Sequence, residues 1–463
     1  MGRPGRILVD IGEVAAMALW HGNLLRRWAD NLRTSLWPLP ALMTGIAAVL
    51  YMLSVLIDPH VAAAQLGPLR HITYVGAPDQ ARELLATLLT SMITMASLVF
   101  SITMVVLTLA ASQFGPRLIR NFMASFQTQT VLGTFMMTSV YCLLVLTSLG
   151  DRPSSDPASA YMSVSLAVAM SVVSLALLVV YIHALATSIV SESLVQTVGN
   201  ELDNSVVALK RADVAHAPPA ALPKGLIEHA ATVRLERAGY VQVIEFGTML
   251  AAAQQADALI LLPFQTGDFA VPDADPIRVH PPERLTPELA RILQDSVSLG
   301  VHRTPVQDLE YSIRHLVEIA MRAMSPAIND PYTAVAVVQR LTSSWSQLFA
   351  CELPSGALRD NQGTLRILFP PLSFRSLLKA SFSQIRQTAA AKPFVLIHLL
   401  KALEQMAHSA VTDEQRGYLE EQVQAVLEDA EREVANSQDL QDVRAQAGRA
   451  LERLACPSAG GNP

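Results

Sequence analysis

The sequence predicts a membrane α-helical fold with four transmembrane helices, followed by a cytoplasmic domain of mixed α+β and helical character. Three observations lead there. The 463 residues are 51% hydrophobic and only 16% charged, with a mean hydropathy of +0.33, too apolar for a chain that keeps its surface in water throughout. The apolar residues are sorted into four blocks, 36–57, 84–112, 130–149 and 160–190, each reaching the ~20 residues that cross hydrocarbon. Beyond about residue 200 the pattern reads as soluble.

The amino-terminal segment 1–35 carries Arg3, Arg6, Arg26, Arg27 and Arg33, with Trp20 and Trp28 between them. The first long apolar run starts only at Leu36, without the short core and cleavage site of a secretory signal. The segment is therefore expected to lie along the interface as an amphipathic helix. The membrane domain follows over 36–200. Arginines and lysines fall in the amino-terminal arm, at Arg117 and Arg120, and at Lys210 and Arg211, whereas the alternate loops hold Arg70, Arg82 and Arg152. Positive charge stays on the inner side, so both termini are expected in the cytoplasm.

The second block, "LLATLLTSMITMASLVFSITMVVLTLAASQFGPR", is rich in hydroxyls. At 100° per residue, Thr87, Thr90, Ser91, Thr94, Ser97, Ser101, Thr108 and Ser112 fall within one arc of roughly 120°, with Thr103 on the far side. Leu85, Met92, Met95, Val99, Val106 and Leu109 are expected on the opposite face. A stripe of neutral hydroxyls suits the lining of a water-filled path, because it solvates ions without trapping them. The same stripe suits a helix contact, since serine and threonine bond the preceding turn and small residues allow close packing. Gly115 and Pro116 should end the helix, placing Arg117, Arg120 and Asn121 at the cytoplasmic mouth as an anion-attracting ring or as the anchor that positive charge supplies.

No Asp, Glu, Lys or Arg stands inside the four blocks, and His183, near the end of the fourth, is the one ionisable candidate. That argues against a coupled carrier, which ordinarily holds an ionisable group near the midplane. The fourth block is uncharged to Ser191 and is expected to continue as a stiff helix toward the soluble domain. Cys142, Cys351 and Cys456 show neither metal nor disulfide spacing, and a net charge of −6 gives no sign of nucleic acid. No glycine-rich phosphate loop, CxxC pair or HExxH is present, so neither cofactor nor metal is expected, and no enzyme.

A Pro/Ala linker at 212–224 leads to a small α+β module at 225–283, with strands in "GYVQVIEF", "ALILLPF" and "DPIRV" around a helix at 248–256. Its "TGDFAVPDADPIRV" resembles the tight inter-strand turn of compact barrel-like modules such as lipoyl-type domains, and lacks the lysine that covalent attachment needs. A helical domain at 284–455 begins with "LTPELARILQDSVSLG", a helix capped by Thr286 and stopped at Gly300. In "SPAINDPYTA", Ser325 and Pro326 close one helix, and Asp330 followed by Pro331 caps the next. Amides at that second N-terminus can take an anion or a partner's carboxylate, which makes Ser325, Asn329 and Asp330 a candidate binding corner. A strand in "TLRILF" and helices from Phe374, Pro393, Asp413 and Gln438 complete the domain, and 456–463 are expected to be disordered.

Two long stretches, "SLVFSITMVVLTLAASQFGPRLIRNF" and "RTPVQDLEYSIRHLVEIAMRAMSPAINDPYTAV", together resemble a bacterial family of predicted integral membrane proteins catalogued as domain of unknown function two-two-five-four. The resemblance covers nearly the whole chain and implies a multi-span region followed by a cytoplasmic domain, without an activity. The residues themselves point first to a homo-oligomeric ion channel among membrane lipids, lined by the second helix and assembled or gated by the tail. A membrane-anchored signalling or scaffold protein is the alternative, and a carrier-type transporter the third reading.

Overall fold

The computed structural model describes residues 37–63, 78–114, 126–150, 161–188, 191–211 and 228–455. The interfacial segment expected at 1–35, the linker at 212–224 and the tail at 456–463 lie outside them. The chain forms two units, which divide between Val190 and Ser191.

The first unit holds α1 (Pro38–Ala63), α2 (Pro78–Phe114), α3 (Phe126–Gly150) and α4 (Tyr161–Ser188). Each is long and apolar enough to cross a membrane. Close contacts at their ends give the directions. Near their first turns α1 and α3 meet at Gly133, where a Cβ would stand 2.5 Å from the Met43 sulfur and 3.2 Å from the Pro40 Cα. Arg82, in the first turn of α2, donates to the carbonyl of Leu149 at the end of α3. Asp58, late in α1, accepts from the first amides of α4. The helices therefore run up, down, up and down. The central helix is α3, which packs on all three others, and 44% of its most apolar stretch is buried against 11% for α2. α4 is described to Ser188 and α5 (Ser191–Arg211) begins the second unit; residues 189–190, where the fourth helix is expected to continue toward the soluble domain, lie outside the described residues.

The second unit continues with β1 (Ala231–Val233), β2 (Gly239–Ile244), α6 (Phe246–Ala256), β3 (Leu259–Leu261), β4 (Phe269–Ala270), β5 (Ile277–His280), α7 (Pro287–Asp295) and β6 (Val297–Gly300). Then come α8 (Leu309–Ala323), α9 (Pro331–Leu348), β7 (Ala357–Arg359), β8 (Leu365–Leu368), α10 (Phe374–Thr388), α11 (Pro393–Met406), α12 (Asp413–Glu433) and α13 (Ser437–Ala455). One sheet has the order β1-β5-β3-β8-β7, with β3 and β8 parallel, and the other has the order β4-β2-β6.

Both sheets take strands from beyond residue 284, so the sheets do not break at the boundary expected there. The helix expected to run to Gly300 stops at Asp295. Val297 and Leu299 point inward and pair with β2, a non-local partner that wins over the local helical pattern. The turn "TGDFA" closes with Gly267 at φ +92°, and it sits in an open three-stranded sheet rather than a barrel. Arg303 grips Asp308 through two hydrogen bonds of 2.7 and 2.9 Å directly against Gly267, tying this turn to the start of α8. Burial pushes the Asp308 carboxyl above its ordinary range, with Arg303 and the Tyr311 amide pulling the other way.

Candidate functional site

The second helix carries the site the sequence singled out. Leu85, Met92 and Val99, seven residues apart, are buried against the rest of the bundle, and Met95 and Val106 are half-buried on the same side. A seven-residue spacing is the seam of a left-handed helix pair, so these residues fix which azimuth of α2 faces its neighbours. The opposite azimuth is exposed. Thr87, Thr90, Ser91, Thr94, Ser97, Ser101 and Thr108 all lie there, while Thr103 points inward to the hydroxyl of Tyr181. Within one chain the stripe is thus not a contact with the other three helices.

Two details correct the expected pattern. Leu109 is 43% exposed on the stripe side, not on the packed side. Leu98 and Val105 share the hydroxyl arc at 49% and 65% exposure, so hydroxyls dominate from Thr87 to Ser97 and apolar residues interrupt the stripe from Leu98 onward. The side chain of Ser112, and all of Arg117, Arg120 and Asn121, lie outside the described residues. The hydroxyls of Thr87, Thr90, Ser91, Thr94 and Thr108 donate to carbonyls four residues back at 2.8–2.9 Å, so none is a bare donor.

Inside the bundle some hydroxyls also bridge helices. Thr138 of α3 meets Ser174 of α4 at 3.0 Å, and Tyr141 of α3 donates to Ser54 of α1 at 3.0 Å. Ser54 belongs to a network around Asp58, a carboxylate that sequence reasoning missed because it lies one residue past the first apolar block. Asp58 is 3% exposed and accepts from the amides of Met162 at 2.9 Å and Ser163 at 3.2 Å and from the Ser163 hydroxyl. It caps α4 from another helix, a charge-assisted arrangement at the positive end of the helix dipole. The readable signal was Ser54 and Asp58 at i,i+4, on one face of α1. His183 is exposed on α4.

In the second unit, the corner before α9 is built by capping. Asn329 takes the left-handed conformation at φ 50°, and the Asp330 amide donates to the Ala323 carbonyl at 2.7 Å. The Asp330 carboxylate then accepts from the amides of Tyr332 and Thr333, both at 3.1 Å, and from the Thr333 hydroxyl. That hydroxyl and the two amides hold its pKa below the ordinary value. The amides expected to take an anion are therefore occupied by the chain's own carboxylate. Ser325 contributes through its backbone carbonyl, which accepts from the amides of Ile328 and Asn329.

A family described as "Predicted membrane protein (DUF2254)" matches residues 33–405. This chain belongs to that family. The chain is also similar to uncharacterized proteins of Mycobacterium bovis and Mycobacterium tuberculosis, each 31% identical over 473 residues, a match covering 96% of this chain and 86% of the relative. No solved structure matches the chain. The family match takes in α1–α4 as well as the soluble elements through most of α11, so the hydroxyl helix, the Asp58 cap and the Asp330 corner all lie within it. The four apolar helices and the family description together make this a membrane protein.

Proposed function

We propose that this protein is a homo-oligomeric ion channel or pore of the bacterial inner membrane, with its N- and C-termini in the cytoplasm and no enzymatic step. Thr87, Thr90, Ser91, Thr94, Ser97, Ser101, Thr108 and Ser112 of α2 line the path, and the soluble domain assembles or gates it. The observation that carries this reading is the outward turn of the hydroxyl face, which the other three helices of the subunit leave uncovered. Several copies around an axis would close it into a polar lining. Val105, at the azimuth of Thr87, then adds an apolar ring on the α4-terminus side, where a constriction can close by dewetting.

The i−4 bonding of the same hydroxyls favours a second reading, a membrane-anchored scaffold whose α2 face meets lipid or another subunit without any path. The two are separated by potassium and chloride flux through proteoliposomes of the purified protein. In a pore, Ser97→Leu lowers flux and Val105→Thr raises it, in opposite directions and without a change of oligomeric state. Absence of flux for either ion in wild type and in Val105→Thr refutes the pore.

A further inference from the structure

The second unit exposes large apolar side chains at a corner held too rigidly to be a loose loop. Ile328, Tyr332 and Phe394 are 44%, 72% and 40% exposed. Tyr332 stands edge-on to Phe394 with ring centres 5.3 Å apart, and Phe394 lies on His398 at 4.5 Å. The Asp330 cap fixes the start of α9, and the Lys392 ammonium donates to the Met324 carbonyl at 2.8 Å, which fixes the start of α11 beside it.

The end of the unit on which this corner stands follows from the register of α5 on α9. Gly199 lies against the stem of Arg340, where a Cβ would come within 2.6 Å of its Cγ. One turn further along both helices, Ser344 donates to Asp203 at 2.7 Å. The two helices therefore advance together, in parallel. Nine residues back from Arg340 is Pro331, and eight back from Gly199 is Ser191. At 1.5 Å per residue these lie about 13 and about 12 Å back, on the same level. Ser191 follows Ser188, the last residue of the fourth apolar helix, by three residues, a connection of roughly 10 Å at most. The corner thus lies at the end of the unit where the chain arrives from the membrane.

We propose that the Ile328–Tyr332–Phe394 corner is a peripheral lipid contact, inserting into the headgroup region of the bilayer that the four apolar helices enter. Tyrosine favours that zone because its apolar ring meets hydrocarbon while its hydroxyl stays wet, and the neighbouring phenylalanine and isoleucine add apolar surface for the hydrocarbon boundary. The opposite end of α11 supplies the contrast. Val411 there is 67% exposed and lies past the C-terminus of that helix, about 20 Å from Phe394 at helical rise. This inference needs only that the protein is in a membrane and holds whether or not α2 lines a path.

The test uses the full chain in proteoliposomes with a fluorescent bimane placed through Tyr332→Cys, Ile328→Cys or Val411→Cys, with Cys456→Ser to remove one native thiol; Cys142 and Cys351 are buried. Lipids brominated near the headgroup replace ordinary lipids. The expected result is at least about a twofold loss of emission at 332 and 328 and none at 411. Equal quenching at all three positions overturns the proposal. So does a probe at 332 that is shielded from aqueous iodide yet insensitive to brominated lipid, which would assign the corner to a protein partner or a second copy.

Discussion

Asp203→Ala should loosen α5 from the rest of the second unit, and the structure sets how much. Asp203 accepts from Arg340 Nη2 at 2.5 Å, from Nη1 at 3.4 Å and from Ser344 at 2.7 Å. The Arg340 side chain is 8% exposed and that of Asp203 27% exposed. Removing the carboxylate leaves a buried guanidinium with Ser344 at 3.0 Å and Asn200 at 3.3 Å as its neutral acceptors. Breaking a buried pair from one side costs about 3–5 kcal/mol, and the partial exposure of Asp203 places this case near the lower end. About 3 kcal/mol is on the order of a hundredfold in the opening equilibrium of α5. Hydrogen exchange of the α5 amides in the detergent-solubilised full chain reads this directly. Replacing both partners, Asp203→Leu with Arg340→Met, should recover most of the loss, because no charge is then stranded. An acceleration below about tenfold in Asp203→Ala, or a double variant as loose as the single one, would refute the claim that burial makes this pair hold α5.

Two further outcomes follow from capping. Asp58→Ala strands the amides of Met162 and Ser163, the second of them buried, and should lower the thermal stability of the solubilised protein by about 1–3 kcal/mol, with Asp58→Asn clearly milder; equal effects would deny the capping role. Asp330 is held below its ordinary value of 3.8, so its contribution is present above that pH and disappears as pH falls through the folded value. Asp330→Ala should cost about 1 kcal/mol at neutral pH and remove that acid-side loss, which thermal melts from pH 6 to 3 will show or fail to show.

Much of this was written locally in the sequence. Hydropathy located four apolar helices close to their observed limits, because hydrocarbon thickness demands long uninterrupted runs. Caps placed helix starts: Thr286 accepts from the Leu289 amide, and Thr412 with Gln415 forms a capping box ahead of α12. The sequence was mute where partners are distant. Strand β6 reads as helix until β2 is beside it, and Asp58 reads as the end of an apolar run until α4 turns out to start against it. The azimuth of the hydroxyls was legible from the 100° step, but their exposure depended on Leu85, Met92 and Val99 packing inward, which no single-helix pattern decides.

The hydroxyls of the membrane unit fall into two populations, and that division makes the environment of α2 measurable without any flux assay. Thr138 bonds its own helix and also reaches Ser174 across the bundle, in a site with no exposure. Among the described residues Thr94 bonds only the Thr90 carbonyl of its own helix, and it faces outward. Valine matches threonine in shape, so each substitution removes a hydroxyl and little else. Thr138→Val should cost about 0.6–1.7 kcal/mol, the range of interhelical hydrogen bonds in membranes. Thr94→Val should fall within about 0.5 kcal/mol of wild type if its face meets water or lipid, since the carbonyl it releases remains bonded within the helix. A cost for Thr94→Val as large as for Thr138→Val would place the stripe in a packed subunit contact, where a lost hydroxyl is missed by a neighbouring chain. In that event α2 holds the oligomer together, and a conduction path would have to be sought on another face.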